Sequence, residues 1–202
     1  MVNLDRVTLV RRLGLVCVGM TFVLMVLGAW VKANGAGLSC PDWPSCYGAY
    51  FPPFPSLDNG GIYHGHAVVY TQAQELYEWT HRAVVGLISI PVFAFASFAG
   101  SDKRFTTPLR TLPIAAAGIY IVQAILGAIT VVTGNPPWAT TMHLATAVIW
   151  FATLLTATTH AFLRPLRPVP LRHETQAPAP AIRKVQFVYP EATPDPDEAP
   201  HG

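Results

Sequence analysis

The sequence predicts an all-α integral membrane protein: a four-helix up-down bundle with a structured outer loop and a disordered cytoplasmic tail. Three observations predict it. Of the 202 residues 51% are hydrophobic and only 12% are charged, about half the charged share of an average soluble domain. The charges leave four apolar stretches, each matching the roughly 20 residues a helix needs to cross a bilayer core. The basic residues gather at alternate ends of those stretches, as topology set by short positively charged loops requires.

The first span is expected over 11–33, because Leu13 to Trp30 carries no charge. Its basic flank (Arg6, Arg11, Arg12) also suits a signal peptide, but the run is too long and Gly35-Ala36-Gly37 is a weak cleavage signal. Cys17, in mid-span, reads as a packing residue. The connection over 34–79 is too long to be a structureless link. Its front, "CPDWPSCYGAYFPPFPSLDNGG", is rigid with proline and aromatics. Its back, "HAVVYTQAQELYEWTHR", lacks proline and glycine and reads as helix. That helix either lies on the membrane surface or extends the second span outward. The second span is expected over 80–100, where a membrane helix tolerates Pro91. The third, over 109–133, carries Gly118, Gly127 and Gln123, read as close helix contact and interhelical hydrogen bonding. "GNPPW" is a tight turn into the fourth span, over 139–163. Residues 1–164 thus form one bundle, and the proline-dense stretch 165–202 reads as a disordered tail.

The orientation follows from three basic segments: Arg6, Arg11 and Arg12; Lys103, Arg104 and Arg110; Arg164, Arg167 and Arg172. With four spans they share one face, which places both termini in the cytoplasm and the cysteine loop outside a plasma membrane. The net charge of +2 comes with no basic cluster interleaved with aromatics, so nucleic acid is not an expected partner. Cys40 and Cys46 then lie in an oxidising compartment, where a nearby pair most often forms a disulfide. The alternative, a metal site, needs further ligands, for which His64 and His66 are the local candidates.

Ionisable residues at membrane depth are costly and mark sites. His81 lies 21 residues before Asp102, and His143 lies 21 before Arg164. Both helices run the same way, so the two imidazoles share one depth near the outer face. In an up-down bundle the second and fourth helices are diagonal. With neighbours about 8–10 Å apart, the diagonal of roughly 11–14 Å admits a flat macrocycle with one histidine on each face of its iron. The alternative is two interfacial histidines bonded to loops. His160, 17 residues beyond His143, lies about 25 Å further along the helix and reads as interfacial. Glu78 precedes His81 by three residues and Arg82 by four. It is either a surface partner of Arg82 or an acid/base above the macrocycle edge, which frees Arg82 for a heme propionate.

"GAGLSCPDWPSCYG", "EWTHR", "QAILGAITVVTG" and "TMHLATA", in this order, resemble the heme A synthase family over roughly residues 10–163. The match is to the N-terminal half of its usual eight-span members. The resemblance implies conversion of the C8 methyl of heme O to a formyl group, giving heme A for terminal oxidases. It implies His81 and His143 as heme-iron ligands, Glu78 as the catalytic carboxylate, and Cys40 and Cys46 as a pair with a redox or heme-handling role. Its cofactors are heme b, with heme O as substrate. Since usual members have two such halves, a homo-oligomer or a second half-size partner is implied, with heme O synthase and terminal oxidase assembly as further associations. The alternatives are a bis-histidine heme b cytochrome and a heme-handling assembly subunit without catalysis.

Overall fold

The computed structural model describes residues 4–55, 62–63, 66–67 and 69–167. Four long helices carry the fold: α1 (Leu4–Ala33), α2 (Gln72–Gly100), α3 (Thr107–Val132) and α4 (Pro137–Leu163). All four are long and apolar enough to cross a membrane. Two short strands, β1 (Ile62–Tyr63) and β2 (His66–Ala67), pair antiparallel within the α1–α2 connection. The helices pack in a ring, each against its two neighbours in sequence, with α4 closing against α1. The expected all-α up-down bundle is the observed one, and α2 and α4 are diagonal.

Each helix start has a local cause. Thr71 and Gln74 form a capping box that begins α2. Helices α3 and α4 carry proline in their first turn, where no donor is lost. Two boundaries differ from expectation by more than two residues. Helix α1 begins at Leu4 rather than 11, because Asp5 suits a helix N-terminus and the arginines are held. Arg6 donates to the Phe98 carbonyl (3.1 Å) and Arg11 to that of Ala161 (3.0 Å). Helix α2 begins at Gln72, eight residues before the expected span. Of the two placements foreseen for this helix, it extends the second span outward, and the Thr71 cap excludes 66–71 from it. The chain stays helical through Pro91.

The core runs through Cys17, Ile88, Phe95, Leu109, Trp150 and Leu154, all within 1% of full burial. Cys17 is a free, packed thiol, as expected. Leu15, Phe22, Ile90, Ile121 and Ile149 face outward, an apolar exterior suited to lipid. At the end opposite the cysteines, Arg167 donates from its backbone to the Arg104 carbonyl (2.8 Å). The expected tail from 168 onward, and the side chains of His64 and His66, lie outside the described residues.

Candidate functional site

The cysteine segment is a built loop. Cys40 and Cys46 form a disulfide, with Cα atoms 4.6 Å apart. Inside that ring the Asp42 carboxylate accepts from the backbone N–H groups of Tyr47 (2.6 Å) and Gly48 (2.9 Å), and from the Ser45 hydroxyl. Burial pushes Asp42 up, but these three donors win and hold it below the usual range. Tyr47 and Gly48 both take positive φ, 51° and 77°, so the chain turns back and Cys46 pairs with Ala49 through backbone hydrogen bonds. Cys40, Cys46, Tyr47 and Phe54 form a second small core capped by Trp79.

This loop docks on one face of α2. Arg82 uses all four of its terminal N–H groups. It donates to the carbonyls of Asp42 (2.5 Å), Ser45 (2.6 Å) and Cys40 (2.9 Å), and to Glu78 Oε1 (2.5 Å). Glu78 Oε2 accepts from the Cys40 N–H (2.9 Å) and lies 3.0 Å from the Ser39 hydroxyl. The indole of Trp79 donates to the Tyr50 carbonyl (2.8 Å). Of the two readings of Glu78 and Arg82, the structure contains the ion pair, buried beneath the loop rather than on the surface. A propionate at Arg82 would have to replace one of these four partners.

Glu75, which lies in the stretch read from the sequence simply as helix, is fully buried under the same loop. Burial, with the Glu75 carboxylate beside it, pushes the Tyr47 phenol up to about 12. The signal was its spacing: Glu75, Glu78 and Arg82 fall three and four residues apart, on one helical face.

One turn below Glu78 lies the histidine layer. His81 is 19 residues from the end of α2 at Gly100, and His143 is 20 from the end of α4 at Leu163. The diagonal helices therefore hold the imidazoles at one depth. A Cβ on Gly28 of α1 would stand 3.1 Å from His81 Cε1, and one on Gly127 of α3 would stand 3.3 Å from His143 Cε1. Gln123 is the interhelical tie expected of it: its amide donates to the His143 carbonyl (3.0 Å) and lies 3.1 Å from Nδ1. His81 Nδ1 is buried with no hydrogen-bond partner among the described residues. His160 sits in the last turn of α4, apart from this layer.

The donor set fits a heme. Among the described residues no cluster of three or more His, Cys, Asp or Glu side chains can hold a bare metal ion. Heme iron takes its in-plane ligands from the macrocycle, so two imidazoles suffice as protein donors. A buried, unpartnered imidazole nitrogen is also costly unless something binds that ring or its surroundings rearrange.

A family model described as cytochrome oxidase assembly protein matches residues 11–188. The heme A synthase of Bacillus licheniformis is 29% identical over 72% of this chain and 42% of its own length. That of Bacillus pumilus is 30% identical over 67% of this chain and 40% of its own length. The protoheme IX farnesyltransferase of Halobacterium salinarum is 32% identical over 67% of this chain and 27% of its own length. The chain therefore spans less than half the length of these relatives. No solved structure matches it.

Proposed function

Since the chain belongs to the cytochrome oxidase assembly protein family, we propose that it acts in heme A biosynthesis, on the C8 methyl of heme O. The observation that carries this reading is the pair His81 and His143, on diagonal helices at one depth. In this reading His81 and His143 would be the side chains that hold the heme iron. Bound heme supplies the redox chemistry of the methyl oxidation. Glu78, one turn from His81, accepts or positions a proton beside the reacting edge. The docked loop keeps bulk water from that edge, with Arg82 as its anchor. The Cys40–Cys46 bridge keeps the loop's shape. The loop end faces outside the plasma membrane and both termini face the cytoplasm, by the distribution of arginine and lysine.

The relatives are more than twice as long as the matched segment. We propose further that a second copy of this chain or a separate partner takes part in the working unit. A segment similar to this chain also occurs in a protein named protoheme IX farnesyltransferase, which supports a heme substrate and an enzyme that makes heme O as its supplier.

A second reading is heme binding without methyl oxidation. It is favoured by the engagement of both Glu78 oxygens in loop and Arg82 contacts. Co-expression with heme O synthase in a host lacking heme A separates the two. The first reading expects heme A in membrane extracts, lost with Glu78→Ala while heme stays bound. Unmodified heme, lost with His81→Ala or His143→Ala, would establish the second reading. Absence of any histidine-dependent heme would refute both.

A further inference from the structure

The two histidines are seated by the same device. Leu27-Gly28-Ala29 of α1 recurs as Leu126-Gly127-Ala128 of α3. Gly28 lies five residues before the end of α1 at Ala33, and Gly127 lies five before the end of α3 at Val132. Each helix is followed by a glycine at positive φ: Gly35 at 65° and Gly134 at 75°. One turn before each seat comes a buried residue, Leu24 or Gln123. In each case the next helix presents a histidine whose Cε1 edge meets the glycine. The bundle is thus a tandem of two hairpins, α1–α2 and α3–α4, with one Gly–His contact apiece. Gly28, His81, Gly127 and His143 form one layer, glycines on one diagonal and histidines on the other.

We propose that Gly28 and Gly127 are positioning residues that set the gap between the two imidazoles, and through it admit a planar iron macrocycle. The macrocycle clause rests on the reading given above; the seating of the rings does not. A Cβ at either glycine would stand 3.1 or 3.3 Å from a ring carbon, inside the ordinary carbon–carbon contact of about 3.5–4.0 Å. A ring denied its seat has two exits: inward, narrowing the gap, or along its helix, turning its nitrogens off axis. Two other glycines of the same helices lack any such constraint. A Cβ on Gly19 of α1 or Gly118 of α3 meets nothing within 4 Å.

The test compares Gly28→Ala and Gly127→Ala with Gly19→Ala and Gly118→Ala, in the 202-residue chain purified in detergent. With heme bound, the seat variants are expected to lose the low-spin bis-histidine signal in optical and electron paramagnetic resonance spectra, or to shift its midpoint potential. The two control variants keep both. Without heme, Gly28→Ala is expected to lower the melting temperature when residue 81 is histidine and to have little effect beside His81→Ala. Gly127→Ala behaves likewise with residue 143. If a seat variant fails to fold, folding should return in the double variant with its own histidine replaced. Wild-type spectra and potential in both seat variants would overturn the proposal. So would equal destabilisation with and without the histidine, or no recovery of folding. Should the wild-type chain bind no heme, the heme reading fails, while the melting comparison still decides whether the glycines seat the rings.

Discussion

Replacing Arg82 by methionine would show what holds the cysteine loop to α2. The guanidinium joins three loop carbonyls to the Glu78 carboxylate. The two side chains are only 13% and 5% exposed, so water competes little with the pair. Arg82→Met keeps much of the aliphatic volume and leaves a buried carboxylate without its cation. Removing one partner of a buried pair costs about 3–5 kcal/mol. The three freed carbonyls lie at the loop edge and regain water once it lifts, so their loss adds little to that figure. Three of the four broken contacts join loop to helix, the fourth lies within α2 beneath the loop, and none belongs to the core between helices. The cost therefore falls on local opening. Amide hydrogen exchange reads it at Cys40, whose N–H donates to Glu78, and at Cys46, whose N–H donates to Ala49. Exchange there should speed up by about two to nearly four powers of ten. Adding Glu78→Gln removes the stranded charge and should restore part of the protection. Unchanged exchange at Cys40 in Arg82→Met, or a double variant no better than the single, would refute this account of the loop.

Three further outcomes are expected. Replacing Cys40 and Cys46 together by serine opens a short covalent ring, six residues in separation, and should cost roughly 2 kcal/mol. Loop amides lose protection and core amides of α2 and α4 keep it, as hydrogen exchange would show. Asp102, at the opposite end, is held down to about 2 from its usual 3.8, chiefly by the hydrogen bond from Arg104. A depressed carboxyl stabilises the fold above its unfolded pKa, and that contribution fades as pH falls from about 4 to about 2. Thermal melts across that window should show the loss, and Asp102→Asn should flatten it. Glu75 is fully buried, and no salt bridge reaches it among the described residues. Glu75→Gln keeps its size and cannot ionise at a site where a charge is costly to bury. The melting temperature should rise or hold, and a marked fall would show that the carboxylate itself is needed.

The spans were legible because lipid imposes a simple demand: no charge and enough length. That is why the four helices lie where the apolar runs are. The helix ends were less legible, since they depend on partners distant in sequence. Arg6 and Arg11 belong to α1 because Phe98 and Ala161 offer carbonyls to them, and nothing near residues 4–11 announces those carbonyls. The histidine pair was legible from counting, because depth in an up-down bundle is a matter of residues per turn. The surroundings of Glu78 were not. Spacing shows that Glu78 and Arg82 are neighbours, but only the folded loop shows that both are buried beneath it. Glu75 was hidden for the same reason: a glutamate near a helix start is ordinary until a loop covers it. The glycine seats lay in plain view as a repeated Leu-Gly-Ala, which acquires meaning once each glycine is seen against a ring.

The two hairpins are alike in what seats a histidine and unlike in what surrounds it. Three residues before His81 stands Glu78. Three before His143 stands Thr140, whose hydroxyl donates to the Asn135 side chain (2.7 Å). One turn before the glycine, α1 has Leu24 where α3 has Gln123, whose amide holds His143. The α3–α4 connection is four residues, 133–136, while the α1–α2 connection runs from 34 to 71. That added length is the disulfide loop that covers Glu78 and clips onto Arg82. Near-symmetric rings thus meet an asymmetric environment. In the proposed reading, a planar ligand between them would meet a buried carboxylate on the His81 side and a neutral amide on the His143 side. In that reading, proton chemistry at this layer would fall to α2 and the loop docked on it, while His143 of α4 would serve as a fixed ligand.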